Sequence, residues 1–171
     1  MPAKKCQDSM ERVLESEQHR AWIVAVFGAG HVAEALVRVL LPLECVLLVC
    51  DARPEWLQRL PEAPNVHAVH RDRPEELVAK LPSKAFIICM TRGHSTDRPI
   101  LQEILAPGRS FAFVGVIGSK AKAAILHQEL ASSRISLARV SDFQLSHWSS
   151  VRHEPSPRNC AQHRGAAPRG A

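Results

Sequence analysis

Residues Trp22–Arg38, WIVAVFGAGHVAEALVR, decide the fold. An apolar run, Ile23–Phe27, stops at Gly28-Ala29-Gly30, and a helical pattern begins directly behind it. A burial period of 2 that changes to 3.6 across two glycines marks a strand, a tight turn and a helix N-terminus. Such a turn directs free backbone N–H groups and the positive end of a helix dipole at one spot, where a phosphate can sit. With Ala33 in the third glycine's place the stretch reads GxGxxA, a variant the dinucleotide fingerprint tolerates. Taken alone, the turn could need glycine for geometry only. His31, in the first helical turn, could face a ligand or solvent.

Working outward, the helix from Gly30 is expected to bury Val32, Ala35, Leu36, Val39 and Leu40, with Glu34 and Arg38 outward and Pro42 as its end. A second strand, Val46–Cys50, finishes at Asp51, 21 residues past Gly30. That is close to the roughly 20-residue spacing at which a carboxylate meets a ribose hydroxyl. Arg53 makes the position ambiguous, because a guanidinium there would favour an added phosphate, and the two could equally form a surface ion pair. Pro54 fits the first position of a short helix. Asn65–Val69 reads as a third strand, PEELVAKL as a helix stopped by Pro82, and Ala85–Met90 as a fourth strand. The loop TRGHSTD follows, with His94 and Asp97 as acid/base or ligand-binding candidates and Asp97 equally placed to cap the helix RPILQEIL. A fifth strand, Phe111–Ile117, enters Gly118-Ser119-Lys120 and the helix KAKAAILHQELA. This second glycine turn, with its hydroxyl and lysines, suits an anion, or is an N-cap beside a solvated face. Strands alternating with helices predict an α/β fold, a doubly wound, mostly parallel Rossmann-like sheet of order 3-2-1-4-5.

Bulk composition narrows the function classes. The 171 residues predict one domain with a real core, and 46% hydrophobic residues exclude wholesale disorder. No apolar run approaches the roughly 18 residues of a membrane helix, and the polar first 20 residues lack a secretion signal, so a cytoplasmic chain without membrane contact is expected. The net charge of +5 comes from scattered basic residues, and aromatics are 5% with no Tyr, which argues against nucleic acid. The five cysteines contain no CxxC pair, and Cys45, Cys50 and Cys89 fall in apolar runs, where they read as buried hydrophobes rather than metal ligands.

Together VFGAGHV, VCDARPEW, MTRGHSTDRPIL and FVGVIGSKAK, in this order and spacing, resemble the xanthine dehydrogenase accessory proteins of the XdhC/CoxI family. The resemblance spans residues 23–140 or so and corresponds to that family's C-terminal Rossmann-like domain. It implies a chaperone for the molybdenum cofactor, molybdopterin or its dinucleotide form. Such a protein supports sulfuration of the cofactor with a cysteine desulfurase and delivers it to a xanthine dehydrogenase-type molybdoenzyme. Homodimerisation stays open, no catalytic residue is assigned, and the chain reads as an accessory protein more than an enzyme. The candidate cofactor-binding residues are Gly28, Gly30, His31, Asp51, Arg53, His94, Asp97, Gly118, Ser119 and Lys120. The main rival is an NAD(P)-binding Rossmann oxidoreductase, which the first turn and Asp51 would serve equally well. No substrate domain is expected to complete such an active site. A remnant that records the site without forming it is the third reading.

The chain departs from the family's pattern in three places. About twenty residues, read as a polar leader over 1–20, precede the Rossmann-like domain at 21–140, so the family's separate N-terminal domain is not expected. The loop usually reads THGHxxD, and Arg92 stands where its first histidine would be. The tail, 141–171, has no sustained period and is rich in Ser, Pro, Arg and His, which predicts disorder. Back-translated and shifted by one base, it permits Ile-Gly-Leu-Pro from His147–Ser150 and Glu-Ile-Ala-Leu-Ser-Thr-Ala-Ala-Gln-Leu from Arg158–Pro168. Both are similar to motifs that close family members' sequences, so a frame slip near residues 140–147 is expected.

Overall fold

The computed structural model describes residues 22–132 and 144–146. Strand β1, Trp22–Phe27, is followed by helix α1, His31–Leu40, and by β2, Cys45–Asp51. A single helical turn, α2 (Pro54–Leu57), leads to β3, Val66–His70. A 3-10 helix, Pro74–Lys80, precedes β4, Phe86–Cys89, and α3, His94–Ile104, precedes β5, Phe113–Ile117. Helix α4, Lys120–Ala131, and β6, Gln144–Ser146, complete the described elements. All neighbouring strands pair in parallel, in the order β3-β2-β1-β4-β5-β6. The expected 3-2-1-4-5 sheet is therefore present. A sixth strand lies beside β5, within the stretch read as tail, and the rest of that stretch and the expected leader lie outside the described residues.

Strand alternation divides the core between the two faces. Ile23, Ala25 and Phe27 of β1, with Leu48 and Ile87, pack against Leu77 and Val78 of the 3-10 helix, Ile100, Leu101 and Ile104 of α3, and Leu126 and Leu130 of α4. Val24, Val26, Leu47 and Val49 face the other way, onto Ala33 and Val37 of α1 and Leu57 of α2. Central strands buried on both sides explain the near-continuous apolar runs. On the α1 side an apolar groove of about 350 Å³ remains between α1 and the starts of β1, β4 and β5, edged by Trp22, Phe86 and Phe113.

Two elements differ from expectation. Helix α1 buries Ala33 and Val37, while Val32 and Val39 are exposed and Ala35 faces solvent. Leu36 and Leu40 pack against the core as expected, so the buried stripe shares part of the expected face and is rotated toward Ala33 and Val37. Small Ala33 lets the helix start close to the sheet. Glu34 and Arg38 do point outward and pair at 3.0 Å. PEELVAKL winds as a 3-10 helix rather than an α-helix.

Candidate functional site

The strand order reverses between β1 and β4, and ligands of open α/β sheets bind at the carboxyl ends of strands beside such a switch point. A cleft of about 300 Å³ lies there, lined by Gly28, Cys50, Asp51, Ala52, Arg53, Asp72, Pro74, Thr91, Arg92 and Thr96. Gly28 is shaped by its neighbours. Its φ of +102° is a glycine conformation, and a Cβ would stand 2.7 Å from the Met90 carbonyl oxygen and 3.1 Å from Thr91 Cα. Its N–H donates to the Cys50 carbonyl at 2.8 Å, and Met90 N–H donates to the Phe27 carbonyl at 2.8 Å, so the turn is sewn to both flanking strands. Gly30 is different: it has extended backbone, and open space where a Cβ would stand. It leaves the start of α1 accessible, with no side-chain cap.

Asp51 is engaged within the protein. Its Oδ2 accepts the Ala29 N–H at 2.7 Å and an Arg53 guanidinium N–H at 2.8 Å, and its Oδ1 accepts the Arg53 backbone N–H and Nε–H at 2.9 Å each. Burial alone would raise the carboxyl's pKa, but these bonds from Arg53 and Ala29 outweigh it and hold it below the ordinary value. Of the two sequence alternatives, the structure takes the ion pair. Arg53 also lies 4.9 Å from the centroid of the Trp56 ring, as does Arg59, and the His31 ring meets that indole edge-on at 5.0 Å. His31 therefore stands against Trp56 outside the cleft lining, its Nδ1 3.4 Å from Arg59. Cys50, at the cleft wall, is pushed up to about 12 by burial and is a thiol at neutral pH.

Asp97 does not cap its helix. Gly93 is the N-cap, α3 starts at His94, and Asp97 is fully buried in the first turn. Its carboxylate pairs with the Lys122 ammonium and accepts the Thr91 hydroxyl at 2.5 Å. Lys122 also donates to the carbonyls of Thr91 at 3.2 Å and Ile117 at 3.0 Å. The second glycine turn is built round this lysine. A Cβ on Gly118 would fall 2.5 Å from Lys122 Cδ, and Ser119 caps α4 by accepting the Lys122 N–H at 3.2 Å. Of the two readings of this turn, an anion site or an N-cap, the structure shows the N-cap, packed round Lys122, while Lys120 is exposed. His94 is half-buried and 3.9 Å from Glu129 on α4. Of the ten expected site residues, Gly28, Asp51 and Arg53 line the cleft, and Gly30 flanks it.

Thr91 and Thr96 are not among the residues the sequence points to, and Lys122 is legible there only as one of the lysines of the second glycine turn. A signal for its buried pairing is present. Lys122, Leu126 and Leu130 fall at i, i+4 and i+8, and Asp97, Ile100 and Ile104 at i, i+3 and i+7. Opposite charges therefore sit on the buried stripes of two neighbouring helices.

Residues 24–145 match the family model described as the XdhC Rossmann domain. A crystal structure of a xanthine dehydrogenase from Bacillus halodurans is similar at 24% identity and a TM-score of 0.54, over 63% of this chain and 33% of that one, which shows the fold. The chain thus spans about a third of that protein's length. ChuY from E. coli aligns at 15% identity and a TM-score of 0.43, over 74% of this chain and 68% of its own. No curated protein sequence matches.

Proposed function

The chain belongs to the XdhC Rossmann-domain family, and from that premise we propose that it is an accessory protein of a xanthine dehydrogenase-type molybdoenzyme, holding the molybdenum cofactor in the cleft beside Gly28. The observation that carries this reading over a nicotinamide enzyme is the state of Asp51. Its four hydrogen bonds come from Ala29 and Arg53, which leaves a ribose diol to compete with an ion pair. A volume of about 300 Å³ is also at the small end of ligand pockets and suits one fused ring system better than a whole dinucleotide.

The residues present fit a phosphorylated pterin. Arg92 and the unpaired edge of the Arg53 guanidinium would meet its phosphate, and the N–H groups at the open start of α1 beside Gly30 would add dipolar support. The Thr96 hydroxyl would meet ring heteroatoms, and the Thr91 hydroxyl, whose proton goes to Asp97, could only accept from a ring N–H. When bound, the group supplies the molybdenum centre that the recipient enzyme uses. This chain's part is to hold and shield it. Burial keeps Cys50 a thiol at neutral pH, and sulfuration would draw on a cysteine desulfurase as partner.

Thermal unfolding with molybdopterin, NAD(H) and NADP(H) in parallel tests the reading, because a ligand that binds only the folded state raises Tm with its concentration. A rise with molybdopterin supports it. A rise with NADP(H) and none with molybdopterin would replace it by the oxidoreductase.

A further inference from the structure

We propose that the buried Asp97–Lys122 pair is the positioning element of the cleft, setting its shape and its affinity without touching the ligand. This rests on the cleft being the ligand site. The Lys122 ammonium joins three elements at one point: the Asp97 carboxylate on α3, the Thr91 carbonyl after β4 and the Ile117 carbonyl at the end of β5. Asp97 in turn holds the Thr91 hydroxyl. Thr91 is thus fixed at both its backbone and its side chain by two residues outside the cleft lining.

The consequence reaches the first glycine turn. Gly28 packs against Met90 and Thr91 so closely that a Cβ would be 2.7 Å from the Met90 oxygen and 3.1 Å from Thr91 Cα. The Thr91 backbone is therefore the wall against which the turn closes, and the buried pair holds that wall. Gly118 belongs to the same construction, since its missing Cβ is what lets the Lys122 stem cross to Asp97. Ser119 fixes the start of α4 by capping Lys122 N–H. The FVGVIGSKAK motif, which the sequence offers as a second anion site or an N-cap, acts on the first turn from behind.

Amide hydrogen exchange on the full, ligand-free chain tests this. Lys122→Met leaves Asp97 buried without its partner and can fail to fold, so the deciding variant is Asp97→Asn with Lys122→Met, which removes both charges. The expected result is exchange faster by about tenfold at Gly28–Gly30 as well as at Thr91–Gly93, with Leu47–Val49 unchanged. Affinity for molybdopterin, measured on the same variant, should fall by a similar factor. Faster exchange confined to 91–93 and 118–122 overturns the proposal, because the pair would then be a local brace. Equal acceleration at Leu47–Val49 overturns it too, as a global loss of stability. The exchange measurement needs no ligand, so it decides the positioning role even if molybdopterin does not bind.

Discussion

At the scale of single residues, chemistry here is set by what each group is already bonded to. Asp51 is held below the ordinary carboxylate range, so its unfolded form binds more protons at a given pH. Its contribution to stability is complete above its unfolded pKa of about 3.9 and is lost as pH falls through the lower folded value. Melting curves between pH 6 and 3 should show Asp51→Asn less stable at pH 6 and flatter below pH 4 than the parent; parallel curves would deny the linkage. Cys50 gives a second check. Its buried thiol should resist alkylation by iodoacetamide at pH 8 in the native chain and react once denatured, whereas rapid native labelling would contradict its protonated, enclosed state. The Asp51–Arg53 closure was not legible in the sequence beyond its possibility. Residues two apart face each other only because the chain turns after β2, and a ribose ligand and an ion pair ask for the same two side chains.

At the scale of elements, regular periods made the sheet legible, and competing periods hid the rest. Five strands were read from apolar runs, and their order from the alternation with helices. The start of α3 lies earlier than the sequence suggests because Asp97 and Pro99 resemble a cap and a first-turn proline, whereas Gly93 is the N-cap and Asp97 turns inward to Lys122. The face of α1 is legible in part: Leu36 and Leu40 pack on the core as expected, while Val32 and Val39 are exposed and Ala33 and Val37 take their place. The β5–α4 turn separates the two readings of its motif. Ser119→Ala should cost about 1 kcal/mol through the lost cap. Gly118→Ala should cost more, since the displaced Lys122 stem loosens a buried charge whose unpairing is worth about 3–5 kcal/mol. Denaturant unfolding of both variants checks the order. A Gly118→Ala chain as stable as the parent would mean that Lys122 moves aside freely.

At the scale of the whole molecule, the chain presents a complete switch-point cleft on a sheet whose α1 side keeps an apolar groove among the described residues. The frame slip proposed near residues 140–147 belongs to this scale, because a one-base shift permits motifs similar to those that close the family's sequences. Resequencing the gene across those codons decides it: an added or missing base supports the slip, and an intact frame removes it. The central claim is that the cleft beside the first glycine turn takes an anionic pterin. Gly30 provides the cleanest probe, since its extended backbone and open surroundings admit a side chain without strain in the protein itself. The measurement is molybdopterin binding by calorimetry to the parent and to Gly30→Val. The account predicts a ligand-free melting temperature lowered only by the few degrees that a valine at the N-cap costs, saturable binding to the parent and its loss in the variant. Binding of equal strength to both chains, or binding of NADP(H) alone, would contradict it.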